Sequence, residues 1–405
     1  MTKGTTIMIK AIYSLSIFAL VFITGCKKES QVISSESIVT QDANVMLAKT
    51  DLINYIKTHN IAPRFMAGVI DKPGNLRGKV AAPATKLGLS ANPDFQFNQR
   101  VIDRAINPGD YQCGPTILDD YINQSVQNWT KDDFILFRYF GGIAFDYAYV
   151  FDNADGGQYF GANGQFTNTT NRTFKSLLRF WNIPTDILLR DAHGKIYNDV
   201  VKVKSILLIY GYTDSEATYI AGLLKTVFGS ATFRNYNHPL LTFNAFAAPA
   251  DPEYNTVKKI VMGDGIQQAY DDLGYGDVST QAILAHEYGH HVQFAKNVDF
   301  VDSPEGTRRT ELMADAFSAY FMTHKRGAAL NWKRVQQFLQ VFYSLGDCSF
   351  KSSGHHGTPN QRMKSASFGY QLASDAQKQG HILTAEEFII LFDAALPGIL
   401  APDAH

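Results

Sequence analysis

Two histidines and the glutamate between them carry the clearest chemistry in the chain: His286-Glu287-Tyr288-Gly289-His290. On a helix the two histidines stand one turn apart, so their imidazoles leave the same face and can close on a single metal ion. Twenty-one residues beyond His290 the chain reads Glu311-Leu312-Met313-Ala314-Asp315, which offers a third ligand in Glu311. Two neutral nitrogens and one carboxylate leave a zinc ion net positive, with a fourth position for water. Glu287 cannot point where the histidines point, yet lies close enough to take a proton from that water as general base. Asp315, one turn past Glu311, is the expected acceptor for the far nitrogen of His286.

These residues need two neighbouring helices. Ser279 to Lys296 reads as the first, with Ile283, Leu284, Tyr288, Val292 and Phe294 for packing and Asp277, Ser279 or Thr280 to cap its start. The second runs from about Arg308 to His324, after a gap long enough to reverse the chain. Further on, a polar loop from Ser352 to Gly357 holds His355 and His356 and leads into a well-signalled helix. There Thr358 suits the N-cap, Pro359 the first helical position, and Gln361 completes a capping box.

HExxH with a downstream ExxxD is the gluzincin pattern. More narrowly, His286-Glu287-Tyr288-Gly289-His290-His291-Val292-Gln293, Glu311 to Asp315, and His356-Gly357-Thr358-Pro359-Asn360-Gln361-Arg362 together resemble the bacterial neutral zinc metallopeptidase family. The resemblance covers about Ser279 to Tyr370, and Met313 and Ala316 stand where close relatives have a glutamine and a cysteine. It implies peptide-bond hydrolysis by a zinc-bound water, with His286, His290 and Glu311 as ligands. His356 is then expected to stabilise the tetrahedral oxyanion, since zinc leaves one side of that charge open. Arg362 is expected to steady the loop or to meet the substrate oxyanion, while His355 and His291 read as structural or solvent-facing. In thermolysin-like folds an edge strand upstream of the metal helix holds extended substrate, and Asn244-Ala245-Phe246 resembles part of it.

The surrounding chain is less explicit. Lys3 and Lys10 precede an apolar run from Ala11 to Ile23 that ends in Ile23-Thr24-Gly25-Cys26, a stretch resembling a bacterial lipobox. Residues 1–25 read as a lipoprotein signal peptide and 26–45 as a flexible tether. A lipid on Cys26 would anchor the protein to a membrane of the bacterial cell envelope. The remaining cysteines, Cys113 and Cys348, are either disulfide-bonded or buried thiols. A formal charge of −1 with 45% hydrophobic residues fits a soluble globule, and no basic tract suggests nucleic acid.

Residues 46–195 form a region whose role the sequence does not state, and 196–405 the expected catalytic domain. Met46 to Ile56 and Thr116 to Phe140 look helical, whereas Phe145, Tyr147, Tyr149 and Phe151 alternate as on a strand. Asp152-Asn153-Ala154-Asp155-Gly156 with Asn163-Gly164 is oxygen-rich, so calcium is conceivable, but it lacks EF-hand spacing and an ordinary turn explains it. Val203 to Tyr210 and Leu240 to Ala247 read as strands, and Asp214 to Phe228 as a helix. Asn331 to Leu345, Pro359 to Lys378 and Ala385 to Ala395, the last entered through a Thr384/Glu387 capping box, complete a helical subdomain. The expected fold is α+β: a small mixed sheet packed on the HExxH helix, then helices. The expected function is a zinc metalloendopeptidase acting on peptide or protein substrates. The alternative is an inactive surface binding or scaffolding lipoprotein on the same fold.

Overall fold

A computed structural model describes residues 35–59, 61, 114–151, 157–252, 254–301, 303–347 and 355–402. Cys26, Cys113, Cys348 and the stretch 152–156 lie outside them, and with them the lipidation and disulfide expectations and most of the calcium one. The chain divides into a leading segment, Met1–Gln41, and a larger unit, Asp42–His405. Among the described residues no helix is long and apolar enough to cross a membrane.

The larger unit is mostly helical around a small three-stranded mixed sheet. Helix α1 (Ser35–Thr58) contributes Ala48, Leu52, Ile53 and Ile56 to the main core. Helices α2 (Ile117–Ser125) and α3 (Lys131–Phe140) each start at a capping box, Thr116 with Asp119 and Thr130 with Asp133. Each box satisfies two otherwise orphaned backbone donors, which is why the chain turns helical at those threonines.

Two stretches expected as strands are helices. Phe145, Tyr147, Tyr149 and Phe151 lie on or just past α4 (Ile143–Val150). A strand would have turned Ala144, Asp146 and Ala148 to the opposite face, yet all three are buried too, and Asp146 accepts a hydrogen bond from the Tyr210 hydroxyl. Burial nearly all round erases the two-residue rhythm, and tertiary packing decides. After α5 (Thr167–Phe180) and strand β1 (Leu188–Ala192), Val203 to Tyr210 falls in α6 (Val200–Ile209) and its C-cap. The Asp199 side chain accepts from the Val201 and Lys202 amides, and Val203, Ile206 and Leu207 turn inward. That cap and the three-to-four spacing outweigh the β-branched composition.

Helix α7 (Asp214–Phe228) follows as expected. The Leu240 to Ala247 strand is shorter than read: Pro239–Thr242 make a 3-10 turn, and β2 is only Ala245–Ala248. Strand β3 (Lys259–Gly263) lies in the middle, parallel to β1 and antiparallel to β2 with Ala245 opposite Met262. One face of the sheet, with Ala245, Ile260 and Met262, joins the main core. The other, with Phe246, Ala248 and Val261, packs on Phe145, Ala148 and Tyr149 of α4.

Helix α8 (Asp264–Asp272) leads to α9 (Gly276–Ala295), which carries the HExxH motif. None of the expected caps forms: the N-cap position is Tyr275, without a side-chain bond, and the Ser279 hydroxyl instead donates to the Gly276 carbonyl. Helix α10 (Pro304–Thr323) starts earlier than expected, where the Ser303 side chain accepts from the Gly306 amide and Pro304 occupies the first turn. Helices α11 (Trp332–Leu345), α12 (Pro359–Gln379) and α13 (Ala385–Ile399) surround it, and the capping boxes at Thr358 and Thr384 form as read. Gly289 lets α9 and α10 approach: a Cβ there would stand 3.2 Å from the Ala314 Cα.

Candidate metal centre

Helices α9 and α10 bring His286, His290 and Glu311 together in the protein interior, as a group able to hold a metal ion. His286 Nε2 and His290 Nε2 face each other at 3.1 Å, and they lie 3.3 and 3.4 Å from the two Glu311 carboxylate oxygens. Their partners set the tautomers. His286 Nδ1 meets Asp315 Oδ1 at 2.8 Å, and a carboxylate oxygen can only accept, so the proton belongs on Nδ1. His290 Nδ1 meets Gln293 Oε1 at 2.9 Å, while Gln293 Nε2 donates to the Thr310 carbonyl at 2.7 Å. The carbonyl cannot donate, so the amide orientation is settled and His290 must also carry its proton on Nδ1.

Both Nε2 atoms therefore present lone pairs to each other and to a carboxylate. Three buried acceptors converging in this way repel one another unless a cation lies between them. Ligands bound about 2.0–2.1 Å from a tetrahedral zinc stand about 3.3–3.4 Å apart, close to the separations found here. The donor set and its size thus fit a divalent ion. Left to protons alone, burial disfavours a charged His286, but the hydrogen bonds and charges of Asp315 and Glu311 outweigh it and raise the imidazole to about 10. Burial dominates at His290 and lowers it to about 4. Burial opposes ionisation of Glu311 as well, yet the imidazoles of His290, His356 and His286 bring it down to about 2.

Glu287 projects differently. It is fully buried, and neither carboxylate oxygen has a hydrogen-bond partner among the described residues. Burial pushes its carboxyl up to about 8. Asp315 is gripped by Arg362, whose Nε and Nη2 donate to its two oxygens at 2.8 and 2.6 Å. The Arg362 fork holds Asp315, where its charge offsets a buried carboxylate. The chain Arg362–Asp315–His286 so runs from α12 through α10 to α9.

His356 sits at the entry to α12 and is buried. Asp347 Oδ2 accepts from its backbone amide at 2.9 Å and lies 3.2 Å from its Nδ1, and Asp347 Oδ1 is 2.8 Å from His355 Nδ1. Burial lowers the affinity of His356 for a proton, but Glu311 and Asp347 together raise it. The charge of Glu311 reaches His356, and that of His356 reaches Glu311, across the candidate metal centre. Neither neighbouring histidine faces solvent: His355 is buried against Asp347, and His291 Nε2 is 3.0 Å from the Lys259 carbonyl. Phe342 and Phe300 put aromatic walls beside His286 and His290, each with ring centroids 6.4 Å away.

The sheet places β2 at an edge. The Gly263 amide donates to the Asn244 carbonyl at 3.0 Å, so Asn244, Phe246 and Ala248 bond towards β3. Alternation in an antiparallel ladder then turns the backbone groups of Ala245 and Ala247 away from β3. The Ala247 amide lies close enough to Glu287 to favour its ionised form. Asn244 Oδ1 is buried without a hydrogen-bond partner among the described residues.

Three contributors were given no role from the sequence. Gln293 lies three residues beyond His290, a spacing that puts it within reach on a helix, but many glutamines share it. Asp347 meets His356 only because the end of α11 turns back towards the start of α12. Ala247 contributes backbone. Comparison of the chain with family models, with curated proteins and with solved structures finds no match. The structure itself establishes a buried His-His-Glu group, built as a possible metal site in a mostly helical protein.

Proposed function

We propose that this protein is a zinc-dependent metallopeptidase of the gluzincin type, hydrolysing peptide bonds through water. The observation that carries the reading is the buried carboxylate of Glu287, with no side-chain hydrogen-bond partner among the described residues, beside three converging ligand atoms. Zinc, when bound by His286, His290 and Glu311, supplies a Lewis acid that polarises a carbonyl and acidifies a water. Glu287 takes the proton of that water at its carboxylate and later delivers it to the leaving amine. A carboxyl whose affinity for protons is raised by burial suits both directions of transfer.

Asp315 and Gln293 hold the two imidazoles with lone pairs inward, and Arg362 holds Asp315. His356, oriented by Asp347, supplies a donor for the oxyanion. The backbone groups of Ala245 and Ala247 bind an extended peptide as an added strand, and Asn244 Oδ1 accepts from its amide. Phe300 and Phe342 exclude water, which strengthens these polar contacts. The Ile23-Thr24-Gly25-Cys26 stretch supports the further reading that the mature chain starts at a lipidated Cys26 and faces the bacterial envelope.

The test is to load the full chain with zinc and offer it a mixed peptide library. Specific cleavage abolished by a chelator and restored by zinc supports the peptidase. Tight peptide binding without products would favour the inactive scaffold, and an inert protein that takes up no metal would end the proposal.

A further inference from the structure

The two histidine ligands are held in different ways. His286 leans on an ionised group, Asp315, which Arg362 neutralises from the other side. His290 leans on a neutral one, the Gln293 carboxamide. Gln293 is fully buried, and its other end is engaged by the carbonyl of Thr310, the residue next to Glu311 in the chain. One side chain of α9 therefore touches a histidine ligand on its own helix and the backbone beside the carboxylate ligand on α10.

We propose that Gln293 is a positioning residue that clamps the second and third metal ligands together and sets the tautomer of His290. The inference rests on the metal-site reading above and deepens it. The carboxamide offers an acceptor for the His290 Nδ1–H and a separate donor for the Thr310 carbonyl without carrying a charge. A carboxylate in its place would accept from His290 but set two acceptors against each other at Thr310. A methionine of similar length would make neither bond, and an unheld imidazole can turn its protonated nitrogen towards the ion. The neutral amide also adds no charge, so the ion and Glu311 keep their net positive balance while His290 is held.

Partners that orient a metal-binding histidine typically change metal affinity by about 10–100-fold when removed. The full-length protein and its Gln293→Met variant are titrated with zinc against a chromophoric chelator, with the metal-free melting temperature of each recorded beside it. Weakening of zinc binding by about 10–100-fold in Gln293→Met is expected. The visible spectrum of the cobalt-substituted variant should change with it, because the ligand geometry is altered. Equal zinc affinity and equal cobalt spectra in parent and variant would overturn the clamp while leaving the metal site intact. A lower metal-free melting temperature with unchanged zinc affinity would mean a purely structural role and would also overturn it. Failure of the parent to bind zinc removes both readings at once. Should Gln293→Met not fold, nitrogen-15 spectra of histidine-labelled, zinc-loaded parent decide: His290 is expected protonated on Nδ1, and a proton on Nε2 would sink the inference.

Discussion

Arg362 and Asp315, 47 residues apart in sequence, meet inside the protein in a two-pronged ion pair of 2.8 and 2.6 Å, and Asp315 passes that order on to His286. Both side chains are almost wholly buried, 1% and 0% exposed. Removing one partner leaves the other charged and stranded in a medium that solvates it poorly. Arg362→Met is therefore expected to destabilise the protein by about 3–5 kcal/mol, measured by urea unfolding. The double variant with Asp315→Leu should cost less than the sum of the two single changes. Simple additivity would show that the pair is not coupled.

Glu287 makes no hydrogen bond to another side chain among the described residues, so its replacement separates chemistry from folding. Glu287→Gln should fold, bind zinc as the parent does, and lose about 10²–10⁴-fold in peptide hydrolysis. Elemental analysis and a turnover assay on one preparation check both halves. A variant as active as the parent would remove Glu287 from the mechanism.

His356 and Asp347 should act together. His356→Ala is expected to lower turnover by about 10²–10³-fold with zinc content unchanged, as for the loss of one oxyanion donor. Asp347→Asn weakens the hold on His356 and should fall between that variant and the parent. Because Asp347 also binds His355, metal content and melting temperature are followed in parallel. Comparable loss of zinc and activity in His356→Ala would make the histidine structural.

Away from the candidate metal centre, His193 predicts a pH dependence of stability. Its ring stacks on Tyr159 at 3.9 Å, with Nδ1 2.6 Å from Asp264 and Nε2 3.2 Å from Asp191. Burial lowers its affinity for protons, but the two carboxylates outweigh burial and raise it from 6.5 to about 9. A folded-state value above the unfolded one stabilises fully below about pH 6.5 and fades as pH climbs through about 9, by at most ~3 kcal/mol. The stability difference between the parent and His193→Gln should therefore shrink between pH 6 and pH 10 in urea unfolding. A difference that stays constant across this range would contradict the assignment.

Sequence alone marked the His286, His290 and Glu311 group, the place of Glu287 beside it and the Asp315 contact to His286, because these depend on helical spacing and one chain reversal. The same locality made the boxes at Thr358 and Thr384 readable, since each lies within a single turn. The failures came where apolar side chains crowd together without a decisive local rhythm. Residues 145–151 and 203–210 are rich in β-branched or aromatic side chains, and only their neighbours decide whether they coil or extend. Packing between α4 and the sheet chose helix for the first, and an Asp199 cap with an inward apolar stripe chose helix for the second. Arg362 pairing with Asp315, Asp347 holding His356, and Gln293 reaching Thr310 all cross between separate segments. Local spacing determines which side chains share one helix face, but contacts between segments exist only once the core has set the helices against one another.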